Sequence, residues 1–208
     1  MQKFFAIGAA VVLVAVVGGT AGYVMTQGNS DDKFAQCRAS TVAGGAGALG
    51  GPFTLVSETG ATVTDKDVIT EPSLLYFGYT YCPDICPFDV SRNAQAVDIL
   101  DERGYSVQPV FISIDPERDT PEALTEFTDN MHPRMLGLTG SAEQIKAASK
   151  AYRTYYKKQE DGDPEYYLMD HSTFAYLVLP EEGFVEFFRR EVEPEEMADR
   201  IQCFLDEM

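Results

Sequence analysis

The chain has 208 residues, of which 45% are hydrophobic and 12% aromatic, enough for one domain of ordinary size whose core does not depend on disulfides. Its formal net charge is -17. Such a surface repels phosphate backbones and anionic lipid headgroups, so nucleic acid is excluded as a partner; the charge suits plain solubility or a partner with a basic patch.

Met1-Gln2-Lys3 precede an apolar run from Phe4 to Met25, and no charge follows until Asp31. At 1.5 Å rise per residue the run spans about 33 Å, enough to cross a hydrocarbon core. Lys3 before the run, with Asp31 and Asp32 after it, orients the N-terminus to the cytoplasm and the rest of the chain outside. A cleaved signal peptide is the competing reading. Signal h-regions are shorter, about 7–15 residues, and Gly18-Gly19-Thr20-Ala21-Gly22-Tyr23 makes a poor cleavage site. Residues 1–25 are therefore expected to be a retained transmembrane anchor, and either reading puts the domain on the same side. Residues 26–52, which include Gly44-Gly45-Ala46-Gly47-Ala48-Leu49-Gly50-Gly51-Pro52, read as a flexible tether.

From residue 53 to 208 strand-like and helix-like stretches alternate. Phe53–Val56 and Ala61–Thr64 read as a short hairpin across Glu58-Thr59-Gly60. Ser73-Leu74-Leu75-Tyr76-Phe77-Gly78 is a continuous apolar run, the signature of a strand buried on both faces. Residues 88–102 read as a helix and 107–114 as a second buried strand. Thr120-Pro121-Glu122 starts a helix with a capping hydroxyl, proline and an acid. Ser141-Ala142-Glu143-Gln144 is a capping box for a helix expected to run to about Lys158, with Ile145, Ala148, Tyr152 and Tyr155 on its inner face. Residues 174–179 and 185–188 pair across Pro180-Glu181-Glu182-Gly183, and Pro194 opens a last helix with Met197, Ile201, Phe204 and Met208 inward. Alternating β and α with a late hairpin predicts an α/β fold with a mixed sheet flanked by helices. The order resembles the thioredoxin arrangement with an added N-terminal β-hairpin.

The chemistry concentrates in Tyr79-Thr80-Tyr81-Cys82-Pro83-Asp84-Ile85-Cys86-Pro87, placed after a buried strand and before a helix. Ligands of α/β sheets gather at the carboxyl ends of strands, and a cysteine at a helix N-terminus has its thiolate stabilised. The spacing is Cys-x-x-x-Cys, which puts both sulfurs on one face of a helical turn. A structural disulfide, a redox dithiol and a metal site all remain open on these residues alone. The chain has two histidines. His132, in the loop Asn130-Met131-His132-Pro133, reads as a surface residue. His171 precedes the 174–179 strand, and in thioredoxin-like folds the loop there faces the cysteine motif. Two thiolates and an imidazole form a trigonal set that suits copper; zinc, which would want a fourth ligand, is the main rival metal. Tyr79 and Tyr81 are placed at the rim or in the core.

Several of these segments together are similar to the Sco/SenC family: Gly50-Gly51-Pro52-Phe53-Thr54-Leu55, the stretch Phe77 to Pro87, Ser113-Ile114-Asp115-Pro116-Glu117-Arg118-Asp119-Thr120-Pro121, and Asp170-His171-Ser172. The resemblance implies a thioredoxin fold over residues 50 to 205, with one copper ion, Cu(I) or Cu(II), on Cys82, Cys86 and His171. It also implies a metallochaperone role: delivery of copper to the CuA centre of cytochrome c oxidase during assembly. The implied partners are the CuA-bearing oxidase subunit and a copper donor, with the domain in the periplasm of a bacterium and anchored in the inner membrane. The alternative is a thiol–disulfide reductase in which Cys82 and Cys86 keep the CuA cysteines reduced; a peroxidase is disfavoured by the paired motif. Asp115 and Arg118 are expected to hold the loop beside the site, and Asp170 to accept a hydrogen bond from His171. Cys37 and Cys203 lie outside the family motifs, and an oxidising compartment favours pairing them, which would tie the tether to the last helix.

Overall fold

The structure is a computed structural model, and it describes residues 32–40, 42, 45–159 and 166–208. The expected anchor, residues 1–25, lies outside the described residues; among the described residues no helix is long and apolar enough to cross a membrane. Met1–Gln36 and Cys37–Met208 form two separate compact units, and the second holds the features below.

Among the described residues, after a short 3-10 turn at Ala46–Ala48, nine strands and five α-helices follow in chain order. β1 (Thr54–Ser57) and β2 (Thr62–Thr64) form the hairpin, followed by a one-turn helix α1 (Asp65–Val68). β3 (Ser73–Gly78) leads into α2 (Ile85–Glu102), then β4 (Gln108–Ser113) into α3 (Pro121–Met131). β5 (Leu136–Thr139) and α4 (Ala142–Ala151) precede the short strands β6 (Tyr156–Lys158) and β7 (Met169–His171). β8 (Ala175–Leu179), β9 (Gly183–Phe188) and α5 (Pro194–Asp206) complete the chain. The main sheet has seven strands in the order β2-β1-β5-β4-β3-β8-β9, and β6 and β7 make a separate pair. β5, β4 and β3 run parallel, whereas β8 and β9 join antiparallel, so the sheet is mixed as expected.

β3 sits in the middle. Every residue from Ser73 to Gly78 is buried, so both sides of the pleat are covered. That central strand delivers its carboxyl end to the cysteine loop, and Ile114 N–H donating to the Gly78 carbonyl at 2.8 Å closes the end of the β3–β4 ladder.

Four expectations are revised. The helix opened by Ser141 does cap as a box, with Gln144 N–H donating to Ser141 Oγ and Ser141 N–H to Gln144 Oε1. It ends at Ala151, not near Lys158. Arg153 takes a left-handed φ of 50°, and Tyr156-Lys157-Lys158 beyond it pair as β6 with β7. Tyr155 is consequently 56% exposed instead of inward, and Met208, past the end of α5, is 57% exposed. β5 went unread because it is four residues long with Gly137 inside it; a Cβ there would crowd Leu124 Cβ at 3.0 Å and Thr128 Cγ2 at 3.2 Å. The fourth revision is the tether, of which Cys37, Ala39, Ser40 and Gly50 are bonded to the rest of the domain. Cys37 and Cys203 form a disulfide, as the sequence led us to expect. Next to it, buried Glu186 accepts the backbone N–H groups of Ala39 and Ser40 at 3.0 and 3.4 Å and pairs with Arg200 at 3.2 Å. Gly50 N–H then donates to the Ala151 carbonyl at 3.0 Å.

Candidate metal centre

The helix after β3 begins at Ile85, three residues earlier than the sequence pattern suggested, so Cys86 lies in its first turn and Cys82 in the loop before it. Asp84 occupies the N-cap but its side chain caps nothing. The Cys82 sulfur does so instead, accepting the Cys86 backbone N–H at 3.3 Å. An orphan amide of the first turn is thereby satisfied by a sulfur, and the partial positive charge of the helix end falls on it.

His171 is carried by β7, not by a loop. Tyr156 pairs with His171 in the β6–β7 hairpin, and Ser172 continues the attachment, its N–H donating to the Tyr155 carbonyl at 2.9 Å and its Oγ accepting the Tyr155 N–H at 3.0 Å. The imidazole Nε2 lies 3.3 Å from Cys86 Sγ. The three donor atoms, Sγ of Cys82, Sγ of Cys86 and a ring nitrogen of His171, all fall within 4.8 Å of one another. Nδ1 stands 2.8 Å from the Ser172 carbonyl. A carbonyl only accepts, so this contact puts the ring proton on Nδ1 and leaves the Nε2 lone pair facing the sulfurs. Asp170, expected in that orienting role, instead accepts from Gln159 Nε2 at 2.6 Å. The backbone does the job expected of a carboxylate.

Buried aromatics fix the ring from behind. Tyr76 and Tyr79 meet it edge-on, with centroids 6.3 and 5.8 Å away. Tyr79 is 2% exposed and its hydroxyl accepts the Met169 N–H at 3.2 Å, so of its two expected places it takes the core. Tyr81 is on the surface, 53% exposed.

Asp115 and Arg118 brace the loop as expected. Arg118 Nε donates to Asp115 Oδ2 at 2.6 Å, and the guanidinium lies 3.6, 4.8 and 5.7 Å from the ring centroids of Tyr167, Tyr81 and Tyr79. Tyr167 returns a hydrogen bond to Asp115 Oδ1 at 2.7 Å. The neighbouring Asp119 was not singled out in the sequence, yet it is fully buried and accepts from Thr80 N–H, Thr80 Oγ1 and Ser113 Oγ. It pins the Tyr79–Cys82 loop to the end of β4. Its burial raises its pKa, and the bonds from Ser113 and Thr80 oppose that shift. Gly78 was also missed: a Cβ there would lie 3.1 Å from Cys86 Sγ, so only glycine lets that sulfur approach the strand.

The two thiols are inequivalent. A hydrogen bond from the Cys86 thiol lowers the Cys82 pKa well below the ordinary thiol range, helped by the backbone N–H groups of Cys86 and Asp84, while burial opposes it. Cys86 is raised, first by that same bond to Cys82 and then by burial. The ordering agrees with access: Cys82, His171 and Tyr79 line an open cleft of about 420 Å³ with Pro83, Leu168 and Met169, whereas Cys86 is 0% exposed. A soft metal ion fits three such donors with an open side. The same sulfurs are free thiols, able to close into a disulfide.

His132 is not the surface residue expected. It is 5% exposed at the C-cap of α3, where its Nδ1 accepts the Arg134 N–H at 3.1 Å and Nε2 faces Asp98 at 3.3 Å. With Nδ1 accepting, Nε2 carries the proton, so the grouping of His132, Asp98 and Asp101 offers no nitrogen lone pair to a metal. Asp101 is already paired with Arg134.

Fold and centre together define a thioredoxin-fold protein with a dithiol–imidazole site at the end of its central strand. A family model described as SCO1/SenC matches residues 42–206, and the chain belongs to that family. It is 57% identical over 206 residues to Protein SenC of Rhodobacter capsulatus, covering 99% of this chain and 91% of that protein. Among solved structures it resembles Arabidopsis thaliana ScoI with copper bound, at 43% identity and a TM-score of 0.71 over 76% of this chain and 99% of that one. It also resembles BsSco, a member of the Sco family of cytochrome c oxidase assembly proteins in which a disulfide switch has been identified, at 25% identity and a TM-score of 0.58 over 76% of this chain and 94% of that one.

Proposed function

We propose that Cys82, Cys86 and His171 hold one copper ion and that the chain passes it to the CuA centre of cytochrome c oxidase during assembly. The carrying observation is the convergence of the three donors, with the ring tautomer set by the Ser172 carbonyl so that Nε2 points its lone pair at the thiols. The copper-bound ScoI relative supports the choice of metal. Soft thiolates favour copper(I), and the imidazole also accommodates copper(II).

The geometry of the cleft supports transfer. Cys82 and His171 border the open cleft, so an acceptor thiolate approaches from that side. Cys86, buried beneath, is the donor released last. The chain is held to the bacterial inner membrane by residues 1–25, with the domain in the periplasm; Lys3 before the apolar run and the acids after it support this placement. The test is copper stoichiometry and absorption of residues 34–208 beside Cys82→Ala and His171→Ala. One copper per chain with a thiolate-to-copper(II) charge-transfer band, lost in both variants, is expected; no copper above background overturns the reading.

The second reading rests on the free, low-pKa Cys82 thiol. Its thiolate attacks an acceptor disulfide to give a mixed disulfide, and Cys86 resolves it, leaving a Cys82–Cys86 disulfide and two reduced acceptor thiols. Dithiol turnover that survives His171→Ala distinguishes this activity from copper delivery.

A further inference from the structure

Among the described residues the exposed large apolar side chains are Tyr81, Phe88, Tyr155, Tyr166, Leu168 and Met208. All but Met208 lie on or beside the segments that carry the centre. Tyr81 adjoins Cys82, Phe88 is two residues past Cys86, Leu168 lines the cleft, and Tyr155 is bonded to Ser172. Exposed apolar groups on the segments that carry the cleft, with Leu168 in its lining, on a chain of net charge -17, mark a contact surface.

Beside that mouth is a second depression. Thr80, Tyr81, Ala123, Glu126, Phe127 and Met131 line a groove of about 310 Å³. The Tyr79–Cys82 loop forms the wall between the two, with Tyr79 and Cys82 facing the cleft and Thr80 and Tyr81 facing the groove. The groove floor is apolar and its edge is acidic. Its helix, α3, carries Glu122, Glu126 and Asp129 and no basic residue. Among the described residues none of these three acids is in an ion pair. An apolar floor with an unneutralised carboxylate at its rim is complementary to a lysine or arginine side chain, whose methylene stem lies on Phe127 and Met131 while its head meets Glu126.

We propose that the α3 groove is the docking pocket for a basic side chain of the protein that exchanges copper with this chain, and that Tyr81, Phe88 and Leu168 form the apolar contact around it. The partner presents a lysine or arginine close to its own exposed cysteine pair, so that seating the basic residue brings the cysteines over Cys82. This rests on the delivery reading only for the choice of partner. The surface itself is argued from exposure, shape and charge.

The experiment uses the copper-free soluble chain, with the soluble CuA-bearing domain of an oxidase subunit as the probe. Binding is followed by amide NMR shifts and by titration at low salt, with Glu126→Lys and Phe88→Ser as variants; both positions are exposed, so folding is not at issue. The expected result is shifts on α3 and residues 79–82, with affinity about fivefold or more weaker for either variant. The Glu126→Lys deficit should shrink at about 1 M salt, where the Debye length is roughly 3 Å, and the Phe88→Ser deficit should persist. Variants that bind like the parent chain, shifts confined to another face, or no binding overturn the docking pocket. Copper transfer is read separately with the loaded chain. Binding at α3 without transfer supports the docking pocket and overturns delivery alone.

Discussion

Replacing Gly78 by alanine adds one methyl group at the most crowded point of the molecule. The new Cβ would lie 2.8 Å from Tyr76 Cε1, 3.0 Å from Phe111 Cε2 and 3.1 Å from Cys86 Sγ. Carbon contacts are comfortable at about 3.5–4.0 Å, so each neighbour must retreat by roughly 0.5–1 Å. The rings have nowhere to go: Tyr76 is held through its hydroxyl to Asp89 at 3.0 Å, and Phe111 packs on Phe127 with centroids 4.7 Å apart. Overpacking of this kind costs about 1–3 kcal/mol, which for a domain of this size lowers Tm by roughly 3–10 °C. The Cys86 sulfur is the lightest of the three to displace, and a shift of about 0.5 Å exceeds the tolerance of a ligand set. Copper(II) affinity is therefore expected to fall by about 10–100-fold, similar to the loss of a group that orients a ligand. The assay is a copper competition titration with a thermal melt, and Gly47→Ala is the control, since nothing lies within 4 Å of a Cβ there. Gly78→Ala binding copper within about twofold of the parent, with Tm unchanged, would refute the idea that this glycine makes room for the sulfur.

Cys203→Ser opens the bridge to Cys37 and is expected to cost about 2–4 kcal/mol, seen as a Tm drop of roughly 5–15 °C that reductant reproduces in the parent chain; an unchanged melt counts against it. Asp119→Ala leaves the Thr80 and Ser113 donors without their acceptor and should cost about 2–3 kcal/mol while loosening the Cys82 loop, measurable by hydrogen exchange at Thr80. The lowered Cys82 pKa keeps that thiol ionised through the range where an ordinary thiol titrates. Its alkylation by iodoacetamide should therefore stay nearly flat from about pH 9 down to about pH 6, where a thiol of pKa near 8.5 slows about tenfold per unit. Cys86→Ala removes the first cause of the lowering and should restore a pH-dependent rate; a flat profile in that variant would contradict the assignment of cause.

What was legible in the sequence was what short-range pattern controls. The unbroken apolar run of β3 announced a buried central strand, and Thr120 and Ser141 announced two helix starts by their capping chemistry. The convergence of Cys82, Cys86 and His171 was legible because cysteines four apart at a strand–helix junction, with few histidines to choose from, leave little freedom. What escaped notice depends on partners far along the chain. β6 and β7 are three residues each and hold together only by pairing with one another, so neither carries a period that can be read alone. The partner of Nδ1 was misassigned because a backbone carbonyl looks the same at every position; only the turn after β7 brings that of Ser172 to the ring. Asp119 and Gly78 matter through Thr80 and Cys86, contacts set by the meeting of β3 and β4 ends. His132 was read as exposed because it sits in a loop after an acidic helix, whereas the end of α3 folds it inward beside Asp98.

The bridge between Cys37 and Cys203 joins residues 166 apart in sequence and so closes nearly all of the second unit into a single covalent ring. Mechanical load arriving from the N-terminal side enters that ring at Cys37 and is divided, one path running into α5 and the other along residues 38–50. The Glu186 clasp shares it with β9 at once.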